Sequence, residues 1–355
     1  MKILFALSGF YPKHKAGTET YVYHLSKELI KLGYEVSVIV PAVGEKQEVY
    51  NYEGIKVYGY FVPQKISTKE LNGLEKASGL EEFKELLKQI KPDGFHLHSL
   101  SRSLHAEHLK IVKQFGITTF YTAHLGGNFC LRNDLMHFGK EQCNGEVKKH
   151  KCLSCFIHNK KNIGITVSKL FANIINTFIT KSFLVNYFPA FRIIDYKLEQ
   201  LELLKKYTNR YISIAGWLKQ IYSINQLNNA TLIKQAINSD FVELTLNEKK
   251  YADKVRLIFV GRMHPLKNIE IVLEAIRELK SYFNFTLVTI PFKDEMDYYS
   301  HIKEGYKSLN YNAWFENLSS KDVAKKLAQS DILILPSRFE AAPLVILEAF
   351  AKKYL

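Results

Sequence analysis

The chain reads as an α/β protein built from two Rossmann-like domains, each a parallel sheet covered by helices. Apolar runs of strand length alternate with amphipathic stretches of helix length almost throughout, the pattern of parallel strands joined by helical crossovers. The chain has 355 residues, 47% of them hydrophobic, enough for two cores. Near 238–250 the segment SDFVELTLNEKK loses its periodicity and becomes polar and charged. A boundary is expected there, between domains of residues 1–240 and 241–355. No internal repeat or low-complexity tract interrupts either domain.

Strands are expected in the first domain near 2–8, 35–40, 94–99 and 117–123. The opening MKILFALSGFYP holds one basic residue and a short apolar run, so it reads as a buried strand in preference to a secretion signal. No apolar run approaches the roughly 20 residues of a membrane helix. A cytoplasmic protein is expected, soluble or peripheral on the inner membrane face. Residues 18–32 read as a helix, with Val22, Leu25, Leu29 and Leu32 on one face. Strand ends place Gly17, His98 and His124 near the cleft.

In the second domain, strands are expected near 255–260, 285–290, 313–316 and 332–335. Gly261 ends the first of these, Arg262 and Lys267 flank a Pro-containing loop, and Ile271, Ala275, Ile276 and Leu279 supply the next helix with an apolar stripe. Two cations at the carboxyl end of a parallel strand suit a diphosphate, Arg as a planar fork and Lys as a point charge. Farther on, Glu340 and Glu348 bracket a strand-to-helix turn with seven residues between them. Pro336 and Ser337 break the strand, and Pro343 opens the helix LVILEAFAKK. Free N–H groups at that helix start can hold a phosphate, and the two carboxylates can hold sugar or ribose hydroxyls. Solvated glutamates and surface cations are the plain reading of each residue alone; the four together favour a site.

These pieces, in this order and spacing, resemble the retaining glycosyltransferases of GT-B architecture, family 4. GR with a Lys five residues on, and PS, Glu, then PLVILEAFA, are similar to that family's two strongest motifs. The resemblance covers nearly the whole chain. MKILFALSGFYPKHKAGTETYVYHLSKELIKLGYEVSVIV is similar to the family's first strand, Gly-containing loop and helix. KPDGFHLHS and ITTFYTAH resemble the paired strands lining its acceptor cleft, and NRYISIAGWLKQIYSIN resembles the segment before its interdomain linker. Ala341, Ala342 and Pro343 stand where the family carries a glycine-rich turn.

The resemblance implies transfer of a sugar from a nucleoside-diphosphate sugar to a hydroxyl of a glycan or lipid-linked saccharide, with retention and no cofactor for catalysis. Donor-binding residues would be Gly17, Gly261, Arg262, Lys267, Glu340, Leu344, Val345 and Glu348. Arg262 and Lys267 neutralise the leaving diphosphate, backbone near Leu344 caps it, Glu348 binds ribose and Glu340 holds sugar hydroxyls. His124, in YTAHLGG, contacts the sugar or stabilises transition-state charge, and Gly17, in KAGTET, lets backbone approach the phosphates. A hydrogen-bonded strand-end histidine and a plain turn glycine are the other readings. Glycosidase chemistry is set aside, because the carboxylates bracket a nucleotide-type turn and no complementary acid is evident.

All four cysteines, Cys130, Cys143, Cys152 and Cys155, fall in one insert over 128–160, in the pattern C-x12-C-x8-C-x2-C. In a reducing compartment such clustering suits a tetrahedral structural zinc site; free thiols and an iron–sulfur cluster are the alternatives. Many members of the family carry an insert of this kind. His137, His150 and His158 lie nearby and read as spare.

The net charge is +14, and residues 250–355 hold 16 Lys and Arg against 13 Asp and Glu, leaving 33 against 22 for residues 1–249. A basic first domain suits an anionic membrane surface or a lipid-pyrophosphate acceptor. Nucleic acid is not expected, since the cations are dispersed and no RNA- or DNA-binding motif accompanies them. Two further classes stay open: a pseudo-enzyme that binds nucleotide without turnover, and a metal-binding interaction protein working through the cysteine insert. The second domain supplies four strands and a helix before AKKYL. Against the order 3-2-1-4-5-6 of a doubly wound domain it is expected to be truncated, with ILIL at an uncovered edge, low solubility and weak turnover.

Overall fold

The computed structural model describes residues 1–124, 126–179, 183–238, 240–243, 253–279, 283–291, 295–307 and 312–351. Most of the polar segment near 238–250, and residues 352–355 of the closing AKKYL, lie outside the described residues. The chain forms two compact units, Met1–Lys234 and Gln235–Leu355.

The first unit contains β1 (Lys2–Ala6), α1 (Gly17–Lys31), β2 (Glu35–Val43), β3 (Glu48–Tyr52), β4 (Ile55–Val62), α2 (Leu80–Ile90), β5 (Gly94–His98), α3 (Glu107–Gln114) and β6 (Thr118–Thr122). A short hairpin, β7 (Met136–His137) and β8 (Glu141–Gln142), precedes α4 (Lys149–Lys161), α5 (Ile165–Ile174), α6 (Ile193–Tyr207), β9 (Arg210–Ser213), α7 (Gly216–Ile224) and β10 (Ala230–Leu232). Eight strands make one sheet in the order β10-β9-β6-β5-β1-β2-β4-β3, parallel except where β3 meets β4. Leu4, Phe5 and Ala6 are all buried, because a central parallel strand is covered on both faces. Phe5 packs with Val22, Val38 and Val57, and Leu25 and Leu29 of α1 lean on the same core.

Two expectations need correction in this unit. Leu32 does not join the apolar face of α1: the helix ends at Lys31, Gly33 takes a left-handed φ of 84°, and Leu32 is exposed. The sheet is also not wholly parallel, because Glu53 and Gly54, with φ of 46° and 87°, form a tight turn that folds β3 back on β4.

The second unit contains α8 (Asp240–Glu243), β11 (Val255–Val260), α9 (Ile269–Glu278), β12 (Phe283–Thr289), α10 (Met296–Lys307), β13 (Asn312–Glu316), α11 (Ser320–Gln329), β14 (Ile332–Leu333) and α12 (Leu344–Ala351). Its sheet runs β13-β12-β11-β14, all parallel, which is the 3-2-1-4 part of a doubly wound order. Alternate residues of β11 feed opposite layers. Phe259 packs with Leu273, Ile276 and Ile302, whereas Ile258 packs with Ala324, Leu327 and Ala349.

The buried stripe of α9 is Ile269, Val272, Leu273 and Ile276. Of the four residues expected there only Ile276 faces inward; Ile271, Ala275 and Leu279 are exposed. The reason is the helix start: Asn268 in a left-handed conformation launches α9 at Ile269, and the i, i+3, i+4, i+7 series counts from that residue. At the amino end of the sheet, Arg256 clasps Asp331 through two 2.9 Å hydrogen bonds and its own N–H, tying β14 to β11.

Candidate active site

In each sheet the strand order reverses at one place, between β1 and β5 in the first unit and between β11 and β14 in the second. The crevice beyond the carboxyl ends at such a reversal is where open α/β sheets bind ligands. The residues singled out from sequence gather at these two points.

In the second unit, Gly261 ends β11, its N–H bonded to Val288 O at 3.0 Å, and a Cβ there would meet the Phe259 ring at 3.0 Å. The loop then turns through Pro265–Lys267, where His264 Nδ1 accepts the Leu266 N–H. Lys267 Nζ reaches Glu340 Oε1 at 2.5 Å, although the two lie 73 residues apart, because β11 and β14 are neighbours and each sends its loop over the same crevice. Arg338 locks the two loops together, its N–H donating to Leu266 O at 2.8 Å and its Nε to Asn268 Oδ1 at 3.3 Å.

Arg262 Nε lies 3.6 Å from Glu295 Oε2, and His264 Nε2 lies 3.6 Å from Glu295 Oε1. Burial, with Arg262 and Lys267 nearby, lowers the His264 pKa to about 4, so the imidazole is neutral near neutral pH and this contact is not an ion pair. α12 begins at Leu344, and Val345 packs on the sheet. Glu348, one turn in, is buried enough that its pKa is pushed up to about 7. Sequence reasoning had singled out neither His264 nor Glu295. His264 is close to Arg262 in sequence, but Glu295 follows β12 and reaches Arg262 only because β12 flanks β11.

In the first unit, His98 ends β5 and His124 follows β6, and these strands are paired in register. His98 Nδ1 and His124 Nε2 share a hydrogen bond of 3.0 Å, and the Tyr21 ring of α1 sits 5.0 Å from His124. Ser99, with φ of 65°, turns its Oγ to accept the His124 N–H at 2.8 Å. His98 Nε2 is buried with no partner among the described residues. Burial lowers the pKa of both His96 and His124 to about 3, and drives His98 well down too, so the cluster is neutral. At Gly17, the first residue of α1, a Cβ would meet nothing within 4 Å, so the space above the helix start is open. A cleft of about 730 Å³ lies elsewhere, along α6, but its Lys149, Arg192, Asp195 and Glu199 are paired with one another.

The expectation of a zinc site is not met. Among the described residues no group of three or more His, Cys, Asp or Glu is gathered as a metal ion needs. All four cysteines are free thiols. The Cys155 sulfur accepts the Phe138 N–H at 3.2 Å, and Cys152 Sγ points to Glu146 O at 3.8 Å. Burial pushes the Cys152 thiol up to about 11 and raises that of Cys155.

Residues 242–353 match the family described as glycosyl transferases group 1, and residues 16–153 match glycosyltransferase family 4. Solved structures of similar fold include sucrose-phosphate synthase from Thermosynechococcus elongatus, 13% identical with a TM-score of 0.61, over 99% of this chain and 79% of that one. The catalytic domain of starch synthase IV from Arabidopsis thaliana, bound to ADP and acarbose, is 13% identical with a TM-score of 0.56, over 100% and 81%. HepE from Anabaena, in complex with UDP and glucose, is 12% identical with a TM-score of 0.57, over 100% and 79%. No curated protein sequence matches. Both units are thus matched by glycosyltransferase models, and the chain belongs to the GT-B glycosyltransferases of family 4.

Proposed function

We propose that this glycosyltransferase moves a sugar from a nucleoside diphosphate to a hydroxyl of a saccharide or lipid-linked saccharide, with retained anomeric configuration, at an anionic membrane surface. The observation that carries the donor reading is the Lys267–Glu340 contact across the β11–β14 crevice. One cation and one carboxylate on facing loops are what a phosphate joined to a sugar needs: Lys267 for the phosphate, Glu340 for the hydroxyls. The complexes of HepE with UDP and glucose and of starch synthase IV with ADP support a nucleotide in this fold.

In this reading the donor separates Lys267 from Glu340. The diphosphate takes Lys267 and Arg262, the lack of a side chain at Gly261 admits it, and the first-turn N–H groups at Leu344 and Val345 cap it. Glu348, half-buried on the same helix, accepts the ribose hydroxyls. As the glycosidic bond breaks, negative charge grows on the diphosphate beside two fixed cations, which lowers the barrier without a side-chain acid. The acceptor hydroxyl attacks from the leaving-group face, its proton passing to the departing diphosphate. In the first unit, neutral His124, held by His98, and the open space at Gly17 are the expected ligand contacts. Proton NMR of the linkage formed from a matched donor and acceptor tests the stereochemistry: an inverted anomeric centre refutes retention.

A further inference from the structure

The segment after α4 is built inside out. α5 turns its small residues Ser168 and Ala172 to the protein, fully buried, and presents its large apolar side chains to solvent. Val167, Leu170, Phe171, Ile174 and Phe178 recur at helical spacing on that outer side, with Leu170 60% and Phe178 66% exposed. Short turns at Phe183–Asn186 and Pro189–Arg192 follow, and Phe183 at 72% and Tyr187 at 73% extend the same exposed apolar character. A soluble surface helix shows the opposite arrangement.

Charge identifies the occupant. Between Glu146 and Asp195 the sequence has eight Lys and Arg and not one Asp or Glu. The two bounding acids are themselves engaged, Glu146 by Lys148 at 2.9 Å and Asp195 by Lys149 at 2.6 Å. Lys160 and Lys161, at the end of α4, and Lys169, on α5, are exposed. A second copy of the chain would set cations against cations, and nucleic acid has no use for exposed Leu and Ile. An anionic bilayer takes both: Phe, Leu and Tyr enter the boundary between headgroups and acyl chains, and Lys meets lipid phosphate. The ten residues of α5 are too few to span, and among the described residues no helix is long and apolar enough to cross a membrane.

We infer that α5 and the described residues after it, 175–179 and 183–192, form the surface by which this protein docks on anionic membranes, lying in the interface with Leu170, Phe171, Phe178, Phe183 and Tyr187 as its apolar anchors. The inference rests on the reading that the enzyme works at such a membrane, and the experiment separates the two. The full chain is floated with phosphatidylcholine vesicles, with and without phosphatidylglycerol, at low and high salt. Wild type should bind only the anionic vesicles and be released by salt, while Leu170→Ser/Phe178→Ser and Lys160→Gln/Lys161→Gln each reduce the bound-to-free ratio on the order of tenfold. Because these side chains are exposed, melting should be unchanged. Independently, a Trp placed by Phe178→Trp should shift its emission to the blue on anionic vesicles alone. Wild-type binding that neither variant weakens, with no blue shift, overturns this surface and leaves the membrane reading standing. Absence of wild-type binding overturns both. A wild-type dimer in solution that Leu170→Ser/Phe178→Ser dissociates assigns the face to a second copy and also overturns the inference.

Discussion

Donor binding should depend on pH through one residue, Glu348. Burial pushes its carboxyl up to about 7. Ribose hydroxyls donating to the ionised form would replace the lost solvent and return the pKa toward the ordinary carboxylate value of about 4.3. The ligand then prefers the ionised site. At about pH 8 roughly nine-tenths of the empty sites are ionised, and at about pH 6 roughly one-tenth, so the Kd should rise about tenfold on acidification, or about 1.4 kcal/mol. For folding the sign is opposite: a raised native pKa gives stability that is full below about pH 4.3 and lost as pH rises through about 7. Titration calorimetry with a nucleotide sugar, which lacks a titrating terminal phosphate, measures this directly and should show nearly one proton released per donor bound at about pH 6. Glu348→Gln should bind more weakly at about pH 8 and lose the pH dependence. Equal affinity at both pH values, or the same slope in Glu348→Gln, refutes the assignment of Glu348 to the donor.

The leaving-group cations give the second prediction: Lys267→Ala and Arg262→Ala should each lower kcat/KM by about 2 to 4 kcal/mol, through weaker donor binding as well as slower turnover, in steady-state assays of nucleoside diphosphate release. The histidine cluster makes the first unit acid-sensitive. His96 and His124 of that cluster, and His108, buried on α3 beside Tyr60 and Phe83, have native pKa values lowered to about 3, so the unfolded chain takes up their protons first, and stability is intact above about pH 6.5 and falls below it. Between about pH 7.5 and 5.5 the three should cost about 4 kcal/mol together, read by urea unfolding through Trp217 in a Trp314→Phe background; a flat profile would contradict burial of neutral imidazoles. Finally, Cys152 should react with maleimide near neutral pH about 100-fold more slowly than an unhindered thiol with the ordinary cysteine pKa, and purified protein should hold no stoichiometric zinc; metal retained until strong chelation would restore the zinc reading.

Much of this organisation was legible because parallel sheets write themselves plainly. Strands such as Val255–Val260 are buried on both faces and read as apolar runs, and Gly261 and Pro336 mark their carboxyl ends, where the ligand crevice lies. That Lys267 and Glu340 touch was not legible, since it depends on β14 entering the sheet beside β11. The face of α9 was misread by its starting residue. The β3–β4 hairpin was detectable: the alternating EVYNY and IKVYGYFV around Glu53–Gly54 are a hairpin signal. Cysteine spacing, by contrast, fixes which sulfurs share a helix but not where they point, and the Phe138 N–H claims Cys155. His98 could be placed at a strand end from sequence, yet its partnership with His124 required β5 and β6 to be neighbours.

The most direct test is a thermal-shift panel of nucleotide sugars against wild type, Lys267→Ala and Glu340→Ala, with unfolding of the second unit followed at Trp314. A donor at about 100 times its Kd should stabilise the native state by about 2.7 kcal/mol and raise the wild-type Tm by several degrees. The same donor should leave both variants close to their donor-free Tm. A panel in which no nucleotide sugar moves wild type, or one that moves the variants equally, would contradict a donor site at the β11–β14 crevice.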